Sequence, residues 1–200
     1  MNSSEEIIEN YKNYSDQKIE YIAKNPTGLR KEIVPFLVEE IKRRKLNIEL
    51  IDWVNYESNT FEGLERDNII NLIKYNTCSI CQIEKDLFGF KFNTIISAII
   101  LIEDKTEFKI ICNECATPIR IKTMITTLLL GWWSKQGFLS TPFTVISDLY
   151  KMLTKESQSD EIIESFIDKN TGNLRMVLDK KKIMKNLLAS FNKKKNQLDV

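Results

Sequence analysis

The chain has 200 residues, of which 42% are hydrophobic and 28% are charged. This length and composition are typical of one or two globular domains with a hydrophobic core, and they exclude a disordered chain. The formal net charge is only +1, because a basic C-terminal tail over 173–200 offsets an acidic stretch over 51–172.

The N-terminal sequence MNSSEEIIENYKN is acidic and polar. A signal peptide needs a positive first region followed by an apolar one, so we expect a cytoplasmic protein in a reducing compartment. Paired cysteines in that compartment more often bind metal or carry out redox chemistry than form structural disulfides.

Residues 1–50 are predicted to form a helical hairpin. Ser15 is a suitable N-cap for a short helix that ends at residues 25–28. A second helix is expected over 29–45, where Pro35 divides or kinks it. Its basic end is interpreted as a solvated surface that complements the helix dipole.

Residues 51–76 are predicted to link this hairpin to the cysteine region. We expect residues 46–60 to be a connecting segment that packs its aromatic side chains on the core, and residues 61–75 to be a helix. After the first cysteine pair the apolar period changes from helical to alternating. Strands are therefore expected within 88–102 and over 107–111, with a polar turn at 103–106.

All four cysteines of the chain lie in two C-x-x-C pairs, Cys78-Ser-Ile-Cys81 and Cys112-Asn-Glu-Cys115. Such pairs are a metal-site signature, because two intervening residues let a tight turn present both sulfurs to one ion. Residues 77–116 resemble a zinc ribbon, which implies one structural zinc ion bound by all four cysteines. The segment departs from the usual ribbon in its longer loop and in lacking Gly and Pro beside the cysteines.

Two other interpretations of the cysteines stay open: a redox dithiol or regulatory disulfide, and a simple pair of buried thiols. A thioredoxin-like site fits poorly, because it needs one pair at a strand-to-helix junction. Catalytic zinc is disfavoured because four thiolates leave no open position and the chain has no histidine. Nucleic-acid binding is disfavoured because acidic residues outnumber lysines around the pairs.

Residues 117–153 are predicted to form an apolar helical hairpin. Thr117 and Pro118 are suited to begin the first helix, and Thr141 and Pro142 to begin the second, over 143–153. Between them lies a turn that contains aromatic residues and a lysine. Its candidate contact residues are Trp132, Trp133, Lys135 and Phe138.

The motif TLLLGWWSKQGFLSTPFTVISDL resembles a group of uncharacterised bacterial proteins of the Bacteroidetes type. In that group a cysteine-pair zinc element precedes a Gly-Trp-Trp turn and a Thr-Pro helix start. The matching residues are Gly131, Trp132, Trp133, Gly137, Thr141 and Pro142. The resemblance implies a family and carries no activity.

Residues 154–200 are predicted to form two helices and a basic tail. Ser159 is expected to cap the first helix, and the second is expected over 174–191, with a basic face that includes Lys181, Lys182 and Lys185. The sequences SDQKIEYIAKNPTG and SDEIIESFIDKNTG are similar at an offset of 144. They indicate either a duplicated element or shared helix punctuation.

The sequence therefore predicts an α+β fold, mostly helical, with helical hairpins around a small zinc-ribbon-like antiparallel element. No catalytic motif is present, and we expect a non-enzymatic, zinc-stabilised adaptor with an unidentified protein partner. The alternative is a peripheral membrane protein that docks through the Trp132-Trp133 turn and the basic C-terminal helix. A nucleic-acid-binding zinc module is the least favoured function.

Overall fold

The computed structural model describes residues 4–98, 101–130, 155–176 and 180–193, together with positions 142, 143 and 146. The described part is mostly helical with a small antiparallel sheet, as the α+β prediction expected. The helices are α1 Ser4–Asn13, α2 Asp16–Lys24, α3 Val34–Arg43, α4 Glu49–Ser58, α5 Gly63–Lys74, α6 Asn113–Leu130, α7 Lys155–Asp168, α8 Thr171–Arg175 and α9 Lys180–Lys193. The strands are β1 Tyr75–Thr77, β2 Glu84–Ala98 and β3 Leu101–Cys112.

The chain divides into two compact units, each built from segments that are distant in sequence. The first comprises Met1–Asp67 and Ile167–Lys180, and the second comprises Asn68–Phe166 and Lys181–Val200. The five consecutive segments inferred from the sequence stay a prediction.

The first unit has a core formed by one face of each of its N-terminal helices. Ser15 caps α2 as predicted, accepting a hydrogen bond from the backbone N–H of Lys18. The buried cluster contains Tyr11, Ile19, Ala23, Ile33, Leu37, Ile41, Leu50, Ile51 and Val54. These positions recur at helical spacing, so that each helix contributes one apolar face.

Two helical predictions in this unit need correction. The helix expected over 29–45 begins only at Val34, and Pro35 lies in its first turn, where a missing N–H costs no hydrogen bond. The segment expected to connect elements over 46–60 contains α4. Its apolar residues Leu50, Ile51 and Val54 have helical spacing, but the polar residues between them made this pattern hard to recognise in the sequence.

Arg44, at the end of α3, corrects the expectation of a fully solvated basic surface there. Its side chain is only 11% exposed and forms an ion pair of 2.8 Å with Glu40. The same guanidinium donates to the backbone carbonyls of Tyr11 and Lys12, near the end of α1. Hydrogen bonds from Arg43 and Arg44 lower the pKa of the Glu40 carboxyl, against the effect of its burial. One cation of the run therefore ties α1 to α3.

The Glu57 carboxylate connects three segments of the first unit. It accepts a hydrogen bond from the backbone N–H of Gly172 at 2.6 Å and one from the Thr27 hydroxyl at 3.3 Å. One turn earlier on α4, the Trp53 indole donates to the carbonyl of Lys24. The two similar Thr-Gly sequences thus meet at one carboxylate, although Gly28 has a positive φ and Gly172 lies within α8.

The second unit is built on a ribbon of β2 and β3, with the short β1 paired to the start of β2. The antiparallel register runs from Leu87 opposite Cys112 to Ala98 opposite Leu101. The turn predicted at 103–106 is wrong, because these residues belong to β3. Polar residues are tolerated in a strand that has a solvated face, and only the pairing register could reveal this.

Three helix boundaries in the second half of the chain also differ from prediction. Helix α6 begins at Asn113 instead of Thr117, and Pro118 lies inside it. Ser159 lies within α7 and does not cap it. The helix expected over 174–191 is divided between α8 and α9. Most of the second arm of the predicted 117–153 hairpin lies outside the described residues.

We expect Glu57→Gln to lower the free energy of unfolding by about 1–3 kcal/mol, because an amide has one acceptor oxygen where the carboxylate has two, and the buried N–H of Gly172 loses its charged acceptor. Urea denaturation followed by tryptophan fluorescence measures this change. Glu62→Gln is the matched control, since Glu62 forms an exposed ion pair with Lys31 and its loss should change stability little. Equal effects of the two substitutions would contradict the role assigned to Glu57.

Candidate metal centre

The four predicted ligands, Cys78, Cys81, Cys112 and Cys115, come together in one cluster. Their sulfur atoms all lie within 4.8 Å of one another, and none of the four forms a disulfide. The Cys81 and Cys112 sulfurs are 3.9 Å apart. Sulfurs bound to zinc at about 2.3 Å in a tetrahedron are separated by about 3.8 Å. The cluster is therefore positioned to bind one metal ion.

The first cysteine pair lies in the turn between β1 and β2. The backbone closes this turn with hydrogen bonds of 2.9 Å from Cys78 N–H to the Ile83 carbonyl and from Gln82 N–H to the Cys78 carbonyl. Gln82 has a φ of +59°, a conformation that favours glycine. The turn thus has the tight form of a metal-binding knuckle without its usual glycine.

The second pair lies at a junction between a strand and a helix. Cys112 is the last residue of β3, and Cys115 lies in the first turn of α6. Unpaired N–H groups and the positive end of the helix dipole favour negative charge at this position. The structure is compatible with a zinc-ribbon-like element whose second pair is held by a helix start.

The electrostatics of the cluster differ from one thiol to another. Burial tends to raise the pKa of Cys78, but hydrogen bonds from the backbone of Cys112, Cys81 and Ile80 outweigh it and lower the pKa to about 7. Burial raises the pKa values of Cys112 and Cys115. One thiol therefore ionises near neutral pH, and at least two hold their protons more firmly until a cation displaces them.

Lys85 and Glu114 form an ion pair of 3.0 Å beside the cluster. The pair joins β2 to the first turn of α6. The hydrogen bond from Lys85 lowers the pKa of Glu114, and Glu114 in turn raises the pKa of Lys85, with a smaller contribution from Cys112 and Cys81. A cation is thus held close to the thiolates.

Side chains from two helices cap both edges of the ribbon at a single rung, where Gly89 pairs with Ile110. The Ser159 hydroxyl accepts from the N–H of Gly89 at 2.9 Å. On the other edge, the Asn192 amide accepts from the N–H of Ile110 at 2.7 Å and donates to its carbonyl at 2.8 Å. These backbone groups point away from the ladder, so the helices take the place of neighbouring strands.

Asn192 also connects α9 to the cysteine cluster. Its amide donates to the hydroxyl of Ser79, which lies between the first two cysteines, at 2.8 Å. Gly89 permits the matching approach of α7, because a Cβ there would lie 2.7 Å from the carbonyl oxygen of Ser159. Helices α6, α7 and α9 therefore all contact the cysteine cluster or its ribbon.

Sequence reasoning did not identify Asn192, Ser159 or Lys85 as supporting residues. Asn192 lies more than a hundred residues from Ser79, and an isolated asparagine on a basic helix has no pattern that distinguishes it. Only the tertiary structure brings the three residues to the site.

The three predicted contact residues that the structure describes, on α9, are not members of this cluster. Lys181 forms an ion pair with Glu84 at 2.8 Å. Lys182 and Lys185 lie on the same helix, α9, whose Met184 and Leu188 are buried. The other four, Trp132, Trp133, Lys135 and Phe138, lie outside the described residues.

Comparison with known proteins does not assign this chain to a family. No family model, no curated protein and no solved structure matches it. The resemblance to the bacterial group with the Gly-Trp-Trp turn stays a prediction. Among the described residues, no helix is both long and apolar enough to cross a membrane.

We expect Asn192→Ala to destabilise the second unit by about 1–3 kcal/mol for each backbone group of Ile110 left unpaired. The measurement is hydrogen exchange of β3, together with thermal unfolding. Asn93→Ala is the control, since Asn93 only accepts from Thr106 on the same ribbon. If Asn192→Ala leaves exchange in β3 unchanged, Asn192 does not cap this edge.

Metal affinity should depend on pH because bound thiols must lose their protons. Cys78 has a pKa of about 7, so below that pH the thiols of Cys78, Cys112 and Cys115 are all protonated. As the pH falls further, metal affinity should decrease roughly tenfold per pH unit for each proton that the metal displaces. Above pH 7 affinity should keep rising but less steeply, because Cys78 is then already ionised while Cys112 and Cys115, whose pKa values burial raises, still release protons when metal binds. Titration with Co²⁺ by absorbance at several pH values measures this. An affinity independent of pH would exclude thiolate ligation.

Proposed function

We propose that the chain is a non-enzymatic, zinc-stabilised interaction module. The observation that carries the proposal is the convergence of four cysteine sulfurs within 4.8 Å at the end of the ribbon where β2 begins and β3 ends. A site with four thiolates selects zinc among the common structural metals, because soft sulfur ligands and tetrahedral geometry both suit that ion.

A structural role for the ion is supported by its ligand set. Four thiolates complete the tetrahedron and leave no position for a water molecule that zinc could activate. The sequence also contains no histidine to act as a general base at neutral pH. The bound ion would fix the β1–β2 turn against the junction of β3 and α6, and it would thereby set the direction in which α6 leaves the ribbon.

A helix α6 whose first turn is fixed in this way suits a module that presents a surface to a partner. A two-stranded ribbon is only marginally stable in water, so a crosslink that joins the start of β2 to the end of β3 and to the following helix stabilises both ribbon and helix. This arrangement supports an adaptor function, in which the metal would hold a scaffold and the surface of the scaffold would make the contact.

We expect the reduced, anaerobically purified protein to contain one zinc ion per chain by elemental analysis. Removing it with a chelator, or substituting Cys112→Ser, should accelerate hydrogen exchange in β2, β3 and the start of α6. Helices α2 and α3 of the first unit serve as an internal control and should exchange as before. If the purified protein contains no metal and forms a reversible disulfide between the two cysteine pairs, the result contradicts this proposal and supports a redox function instead.

A further inference from the structure

We propose that one exposed face of α6 docks on an anionic membrane surface. We call this the outer face of α6 and define it as Pro118, Ile121, Lys122, Ile125 and Leu128. The inference names a partner for the interaction module and rests on that proposed function for the fixed start of the helix.

The two sides of α6 differ in what they contact. On the inner side, Ala116 and Thr127 are buried, and the Arg120 guanidinium lies 4.7 Å from the centre of the Phe90 ring of β2. On the outer face, Ile121, Ile125 and Leu128 are 45%, 47% and 40% exposed. Their spacing of four and three residues places them along one line of the helix. α6 therefore presents a continuous apolar stripe opposite the sheet.

This stripe differs from the isolated exposed apolar residues of the first unit. Ile48 and Leu64 are more exposed, but each stands alone beside polar neighbours. Single exposed apolar side chains are normal at protein surfaces, whereas aligned ones mark contact sites. The outer face of α6 thus has a pattern that calls for a partner.

The charge around the stripe selects the kind of partner. Residues 116–130 of α6 contain no Asp or Glu, although the chain has 28 acidic residues in all, and their charged residues are Arg120, on the inner side, and Lys122, on the outer face. Lys122 is exposed next to Ile121 on α6. An apolar stripe whose own charged residue is a lysine, with no carboxylate among residues 116–130, matches a lipid surface with negative headgroups, where a nearby cation contributes attraction.

The length and packing of α6 fix the mode of contact. Its 18 residues span about 27 Å, below the hydrocarbon thickness of about 30 Å, and its inner side is covered by β2. The helix must therefore lie along the membrane plane and insert only its outer side chains, to a depth of roughly 5–10 Å. Because Cys115 lies in its first turn, a bound metal holds the helix on the sheet with this face outward.

The test is flotation with two kinds of vesicle, pure phosphatidylcholine and equal parts phosphatidylcholine and phosphatidylserine. We expect wild type to float with the anionic vesicles and much less with the neutral ones, and to be released by high salt. The triple variant Ile121→Ser/Ile125→Ser/Leu128→Ser should bind roughly 100-fold more weakly, because it loses three half-exposed apolar side chains. Lys122→Gln should weaken binding about fivefold.

Ile48→Ser/Leu64→Ser is the matched control, since it removes exposed apolar side chains from the first unit. It should float like wild type, and a loss equal to that of the triple variant would overturn the proposal. A wild type that floats with neither vesicle would also overturn the proposal. The same holds if the triple variant floats as wild type does and only changes the oligomeric state of the protein from dimer to monomer. Zinc content is measured on every sample, so a zinc-free protein that still floats would refute the metal proposal alone.

Discussion

The structure of the second unit depends on the junction that the four cysteines create. They lie together at one end of a long two-stranded ribbon, where β2 begins, β3 ends and the following helix starts. A ribbon of two strands buries little apolar surface and has two open edges, so it needs a constraint from outside the ladder. One ion bound by four thiolates would supply that constraint at the point where β1, β2, β3 and α6 meet.

Buried polar contacts then determine how the helices attach. Ser159 and Asn192 cap the two edges of the ribbon at the same rung, and Asn192 continues to the knuckle through Ser79. In the first unit, Glu57 performs a similar task by receiving donors from two distant segments. Leaving such buried groups unpaired is costly, so these contacts favour one arrangement of helices over others that would bury as much apolar surface.

The proposed metal site and the outer face of α6 are related through a single helix. An apolar stripe on the surface carries a solubility cost, and it is useful only when its direction is fixed. Because the first turn of α6 contains Cys115 and its inner side contacts β2, the stripe is held on the side away from the ribbon. The metal would then act at a distance from the contact, by orienting the helix that makes it.

The sequence by itself determined which cysteines form the candidate metal site, the α+β class and the position of several helices. Cys78, Cys81, Cys112 and Cys115 were identifiable because ligand spacing within each pair is local, and Ser15 because a cap acts within one turn. Prediction from the sequence was wrong where a local pattern is compatible with two structures. The polar residues 103–106 are compatible with a strand as well as with a turn, and the segment that forms α4 was predicted to be a connecting segment. Only the tertiary structure decided that Asn192 reaches Ser79, that Glu57 joins Thr27 to Gly172, and that one side of the apolar α6 stays exposed. These features depend on which surfaces meet across a hundred residues of chain, and no periodicity along the sequence records that.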